Sequence, residues 1–361
     1  MASQTVHTLN APLLDHLRRL IAAEGPLTVA RYMEEALFHP RFGYYATRDP
    51  LGARGDFVTA PEISQTFGEL LGAWCADYWR RIGAPDRVML VELGPGRGTL
   101  LADALRATRT VPGFAAAVRV HLVERSPALR AAQARVLGDA APTWHDALTD
   151  APEGPMLLLA NEFLDALPVR QFVRRAGEWH ERRVDADANG ALRFVLDATP
   201  ADLAFDAPEA AIRETRPAAD ALASEVGRRL ARHGGAALFV DYGYFPSACG
   251  DTLQAVRRHR SSDVLAAPGE SDLTAHVDFA SFAAAATSAG ACAWGPVGQG
   301  TFLHSLGIEA RARKLLEHAD GEQALLIRSG CRRLVDPGEM GTLFKALALT
   351  APGAPAPAGF A

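Results

Sequence analysis

The residues best equipped for chemistry in this 361-residue chain start at Glu92, an acid two positions ahead of three glycines, Gly94, Gly96 and Gly98. Apolar Val88-Met89-Leu90-Val91 precedes the acid, and the helical pattern of Thr99-Leu100-Leu101 follows the glycines. An apolar run, a tight glycine loop and a helix start read as a buried parallel strand that delivers backbone N–H groups to a ligand. Glycine lacks a Cβ and accepts positive φ, so bare backbone can press against that ligand. The helix start behind it adds N–H groups and partial positive charge. Spacing narrows the ligand. A dinucleotide fingerprint needs glycine at 99, where Thr99 stands, and a P-loop needs a Gly-Lys-Ser/Thr that is absent.

The E-x-G-x-G-x-G form resembles motif I of class I S-adenosylmethionine (SAM) methyltransferases, and acids further along suit such a site. A second strand over Val118–Val123 ends in Glu124. Neighbouring carboxyl ends in a doubly wound sheet lie ~5 Å apart, which puts Glu124 beside the glycine loop. Its two oxygens can accept both hydroxyls of a ribose. Asp146, at the end of a short third strand, can accept from an adenine amino group and equally suits a cap on the next turn. A fourth strand, Met156 to Ala160, runs into Asn161-Glu162-Phe163-Leu164-Asp165. At the topological switch point it lies next to the first strand, so Asn161, Glu162 and Asp165 face the transferable methyl. The same residues also read as a helix start with Asn161 as N-cap. Upstream, Gly55 to Gln65 gathers Asp56, Phe57, Thr59, Pro61 and Glu62. Pro61 and Glu62 fit a helix cap. A cap does not account for Asp56, Phe57 and Thr59, which leaves an active-site loop as the other reading.

The elements that must hold these groups are legible in order. Residues 10–38 predict two amphipathic helices, broken at Gly25-Pro26, with Thr28 capping the second. An apolar helix is expected from about Gln65 to Arg81. Strong alternation over 169–197, with turns at Ala176-Gly177 and Asn189-Gly190, predicts a three-stranded antiparallel meander. A helix over 217–233 and a fifth core strand over 236–244, with Asp241 at its polar end, follow. Thr252 to Arg258 suggests another strand, and Ala291 to Pro296 a last one. Helical segments are expected near 301–317, 321–333 and 338–349, then a disordered Pro/Ala/Gly tail. We expect three regions: 1–85, a helical extension with the active-site loop; 86–349, the core carrying the meander; and 350–361, the tail.

Composition bounds the function. Hydrophobic content of 48% supports a sizeable core, and a net charge of −5 offers no basic field for nucleic acid. The cysteines, Cys75, Cys249, Cys292 and Cys331, are scattered, which marks neither a disulfide framework nor a metal site. No apolar run approaches the ~18 residues of a membrane span, and the first twenty residues show no signal-type apolar region.

Taken together, the motifs are similar to those of the MidA family, the mitochondrial complex I assembly protein-arginine methyltransferases and their bacterial relatives. The resemblance rests on Gly25-Pro26-Leu27-Thr28-Val29-Ala30, Arg48-Asp49-Pro50-Leu51-Gly52, Gly55 to Gln65, Val91 to Thr99, Asn161 to Pro168, Val240-Asp241-Tyr242-Gly243 and Asp272-Leu273-Thr274. It spans about 20–349, and the 55–65 motif is more specific than the glycine loop. It implies an α/β class I methyltransferase fold, Rossmann-like, with a mostly parallel seven-stranded sheet, an N-terminal helical extension, the meander insertion and C-terminal helices. It implies SAM as cofactor and arginine on a quinone-reductase subunit as acceptor. With no transit peptide visible, it points to a bacterial, cytoplasmic protein. The meander would be a docking or dimer surface or an ordinary sheet extension. A non-catalytic SAM-binding assembly factor and a small-molecule methyltransferase are the alternatives. In such a site Gly94, Gly96 and Gly98 would admit the methionine part of SAM, with Glu92 orienting the loop, Glu124 on the ribose and Asp146 on the adenine. A guanidinium is cationic and a poor nucleophile in water. Glu162 first, then Asp165 and Glu62, with Asp56 from the loop, would hold and orient it.

Overall fold

The computed structural model describes residues 11–47, 58–257 and 260–360. The chain forms two compact units. One comprises Val58–Asp165, Ala219–Ser247 and Val277–Ala361; the other comprises Met1–Phe57, Ala166–Ala218 and Ala248–His276. Asp56 and Phe57, and the rest of 48–57, lie outside the described residues.

The first unit is built on a twisted sheet with strands β1 (Val88–Leu93), β2 (Val118–Val123), β3 (Thr143–His145), β4 (Met156–Asn161), β5 (Gly235–Tyr244), β6 (Cys292–Gly298) and β7 (Phe344–Thr350). Their spatial order is β6-β7-β5-β4-β1-β2-β3, and Val277–Asp278 pairs parallel with the end of β5. β1 to β5 are mutually parallel, whereas β7 runs antiparallel to both β5 and β6. Every residue of β1 and β4 is buried. That is why their sequences are continuous apolar runs rather than alternating ones: helices cover both faces. The order reverses between β1 and β4, the crevice expected for a ligand.

Six helices matter for the site: α1 (Gln65–Arg81), α2 (Thr99–Thr108), α3 (Pro127–Leu137), α4 (Pro217–His233), α5 (Phe279–Ser288) and α6 (Gly321–Val335). Phe67, Trp74 and Tyr78 of α1 join Leu90, Leu122, Leu157, Leu159 and Leu238 of the sheet in one apolar cluster. Each such side chain contributes about 1.5–3 kcal/mol on burial. α1 and α2 lie unusually close because Gly72 has no side chain: a Cβ there would sit 2.6 Å from Ala104 Cα. Glu69 of α1, almost fully buried, then takes Arg106 of α2 at 3.0 Å and a bidentate fork from Arg311 at 2.6 and 2.9 Å.

Three expectations need correction. The stretch 338–349 is not one helix: Met340–Leu343 makes a single turn and Phe344–Thr350 is β7. Its Ala, Leu and Lys residues favour helix, but a place between two strands overrides propensity. The tail is packed rather than disordered. Trp74 Nε1 donates to Ala358 O at 3.1 Å, Tyr78 OH to Pro355 O at 3.3 Å, and the Phe360 ring lies 5.2 Å from that of Phe302. Asn161 does not cap a helix; it ends β4, and 162–168 is a turn.

The second unit holds the helix Ala11–Glu24, which buries Leu13, Leu17 and Ile21 on one stripe. Thr28 caps the next helix, Val29–Phe38, by accepting from Arg31 N. Leu27–Thr28 pairs with Glu178–Ala186, the middle strand of a meander with Arg170–Arg175 and Leu192–Ala201, and Ile212–Thr215 adds an edge. A smaller sheet joins Gln254–Arg257, Arg260–Ser262 and Asp272–Thr274. No helix of the described residues is long and apolar enough to cross a membrane.

Candidate active site

The pairing of the core strands continues one residue past their ends. Gly94 N donates to Val123 O, Glu124 N to His145 O, and Glu162 N to Val240 O, at 2.9–3.0 Å. With Leu93 opposite both Val123 and Ala160, the glycine loop lies between Glu124 on one side and Asn161 on the other. The three elements expected to share a cofactor are therefore side by side. Gly94, Gly96 and Gly98 all have positive φ, at +60, +53 and +86°. At Gly94 a Cβ would also come within 2.7 Å of the Phe163 ring, so the loop requires glycine there twice over.

Glu92 lies in β1 two residues ahead of this loop, and Asn161 ends the neighbouring β4. Glu92 is 3% exposed and Asn161 8%. Glu92 Oε2 and Asn161 Oδ1 are buried without a hydrogen-bond partner among the described residues. Leaving such atoms unpaired costs about 1–3 kcal/mol each, a cost that a polar or cationic ligand would remove. Burial pushes the Glu92 carboxyl up to about 8. Buried orphan acceptors beside bare, positive-φ backbone fit the cationic, amino-acid end of SAM.

Glu124 stands at the end of β2 as expected. Its Oε1 accepts from Ser126 N at 2.7 Å and its Oε2 from Gln133 Nε2 at 3.3 Å; burial raises its pKa above the usual range. Asp146 lies at the end of β3, but its carboxylate is 74% exposed and paired with Arg130 Nη2 at 2.6 Å.

The acids after β4 are arranged around a strained turn. Glu162 has φ +50°, the left-handed region that costs a side-chain-bearing residue about 1–2 kcal/mol. Its Oε1 accepts from Ala60 N at 2.9 Å and from Asn161 Nδ2 at 3.1 Å. Burial, reinforced by Asp165, pushes Glu162 up to about 7. Glu62 is held on the other side of the same short helix, Ala60–Ile63, with its Oε1 accepting from Thr99 Oγ1 at 2.7 Å. Two expected clamp acids thus also fasten the 59–63 segment, one to β4 and one to the start of α2.

Sequence reasoning assigned no role to the residue that shapes this turn. Asp241, 1% exposed at the end of β5, accepts from Phe163 N, Leu164 N and Asp165 N with Oδ2 and from Tyr242 N with Oδ1. Burial and the charges of Asp165 and Glu162 raise its pKa. Its position at a core strand's carboxyl end was the available signal. Among the described residues, one His/Glu group brings ligand-type atoms within 4.8 Å: His16, Glu35 and His39, in the other unit. There His39 Nδ1 accepts from Arg41 N and Phe42 N, and Glu35 pairs with Arg31, so the group is explained by its own hydrogen bonds.

Strand order, the antiparallel β7 and the glycine loop at the switch point define a Rossmann-like, class I methyltransferase. Residues 70–297 match a family described as S-adenosyl-L-methionine-dependent methyltransferases, and the chain belongs to that family. It is 40% identical over 370 residues to the mitochondrial protein arginine methyltransferase NDUFAF7 of Homo sapiens, covering 94% of this chain and 83% of that one. The Drosophila melanogaster homolog is 40% identical over 383 residues, covering 96% and 87%. A crystal structure from Burkholderia thailandensis with S-adenosyl-homocysteine bound superimposes with a TM-score of 0.84 at 32% identity, covering 97% of this chain and 94% of that one. The protein is a SAM-dependent methyltransferase.

Proposed function

We propose that this methyltransferase acts on a protein arginine, in a subunit of NADH-quinone oxidoreductase, in a bacterial cytoplasm. The acceptor class follows relatives named protein arginine methyltransferases; the subunit and the compartment follow the family resemblance. The single observation that carries the arginine reading is the carboxyl cluster beside the cradle. Glu162 uses only Oε1 on protein hydrogen bonds among the described residues, which leaves Oε2 for a cation. Asp165 lies close enough to raise its pKa.

SAM supplies a methyl already activated by its sulfonium, so the protein's task is alignment and exclusion of water. Glu162 and Asp165 hold the guanidinium fork and present one nitrogen in line with the methyl. The new N–C bond takes the nitrogen lone pair, the C–S pair returns to sulfur, and the surplus proton leaves the guanidinium. With its pKa near 7, Glu162 can take that proton. Glu62, fixed by Thr99, adds to the acidic surround, and Asp56 is proposed as a further clamp acid from its sequence motif alone. Gly94, Gly96, Gly98, Glu92 and Asn161 receive the methionine part of the cofactor, and Glu124 its ribose.

Purified protein is incubated with methyl-labelled SAM and respiratory-complex subunits, and the products are mapped by mass spectrometry. Label on arginine of one subunit is expected. Label on a small molecule alone, or SAM binding with no transfer, would replace the arginine reading with one of its alternatives.

A further inference from the structure

We infer that Gln133 is a positioning residue for the cofactor, a buried tie that holds the adenosyl side of the site in shape. The inference rests on Glu124 as the ribose acceptor. Gln133 is 0% exposed although its side chain is polar. Its amide spans three elements that the chain keeps far apart. Nε2 donates to Gly96 O in the β1–α2 loop at 2.7 Å and to Glu124 Oε2 at the end of β2 at 3.3 Å. Oε1 accepts from Trp144 Nε1 of β3 at 2.8 Å. Both amide hydrogens and the carbonyl are thus in use, a fully satisfied buried network and therefore a rigid one.

Each bond has a consequence at the cradle. The bond to Gly96 O fixes the orientation of the peptide joining Gly96 to Arg97. Carbonyl and N–H of a trans peptide point in opposite directions, so the Arg97 N–H is turned away from α3. The bond to Glu124 Oε2, with Ser126 N on Oε1, sets the rotation of the carboxylate that must present two oxygens to a diol. The bond to Trp144 fixes the indole beside them. Arg130, one turn earlier on α3, supports the same edge by donating to Glu124 O and to the Asp146 carboxylate. Leu137, one turn later, lies 3.2 Å from where a Cβ on Gly98 would be. One face of α3 is therefore the wall against which the glycine loop and Glu124 are set.

The affinity measurement uses full-length protein with SAM alone, so it is independent of the acceptor's identity; the kinetic comparison uses the labelled transfer assay described above. Gln133→Met keeps length and burial but removes every hydrogen bond. SAM affinity measured by calorimetry is expected to fall about tenfold or more, with the kinetic loss in KM for SAM rather than kcat. Gln133→Glu puts a carboxyl against Glu124. Its SAM affinity is expected to fall more steeply than the parent's between pH 6 and pH 8, because only the protonated acid can donate to Gly96 O. Parent-like affinity in Gln133→Met, or a Gln133→Glu pH profile parallel to the parent's, would overturn the inference. So would a loss shared equally by kcat and KM. Glu124→Ala run alongside separates the two readings: unchanged affinity there with a loss in Gln133→Met removes the ribose assignment and keeps the tie to the glycine loop.

Discussion

Glu162 accepts the backbone N–H of Ala60 at 2.9 Å, across 102 residues of chain. One oxygen of the acid that follows β4 is thus committed to the segment that carries Glu62. The same side chain shapes the site and supplies charge to it. The backbone of the same residue is left-handed, at φ +50°, a strain of the kind that clusters at ligand sites.

Separating those two roles gives the first prediction. Gln at 162 retains an oxygen for Ala60 N and Asn161 Nδ2 but has no charge and cannot take a proton. Glu162→Gln is expected to keep SAM affinity within about threefold while losing most turnover. In the parent, kcat/KM for a cationic acceptor should rise as pH increases through about 7, because the ionised carboxylate is the proposed clamp. Calorimetry with SAM and a pH–rate profile check both. Retained turnover in the Gln variant would remove Glu162 from the clamp.

Glu124 provides the second. Its oxygens already accept from Ser126 N and Gln133 Nε2, so they are oriented before any ligand arrives. Glu124→Ala is expected to weaken SAM binding by about 1–3 kcal/mol, the cost of leaving ligand hydroxyls and protein donors unpaired. Isothermal titration gives the number directly.

Glu92 makes a prediction about stability. Its carboxyl titrates near 8 in the fold against 4.5 when unfolded. Between those values the native state holds a proton that the unfolded chain has lost, so the group's contribution to stability falls as pH rises from about 4.5 to about 8 and is level above that. Thermal unfolding of Glu92→Gln, compared with the parent across this range, should lack that part of the decline. Parallel curves would place the ionised form in the fold.

What the sequence by itself determined is local in origin. Apolar runs marked β1 and β4, three glycines marked the loop, and Glu124 at a strand end was placed beside that loop by the geometry of parallel sheets alone. Period-two alternation marked the inserted meander, and Thr28 was legible as a cap. Those signals lie within a few residues of what they specify. Tertiary structure decided the rest. Phe344–Thr350 has helix-forming residues and becomes a strand because β5 and β6 flank it. The Pro/Ala/Gly tail has no apolar period, yet its backbone carbonyls are held by Trp74, Tyr78 and Arg81 of α1. Asp241 reads as an ordinary strand-end acid until three backbone N–H groups from beyond β4 converge on it. Hydrogen bonds between residues from tens to nearly three hundred positions apart leave no periodicity in the chain. They exist only once the sheet has brought the carboxyl ends of its strands together.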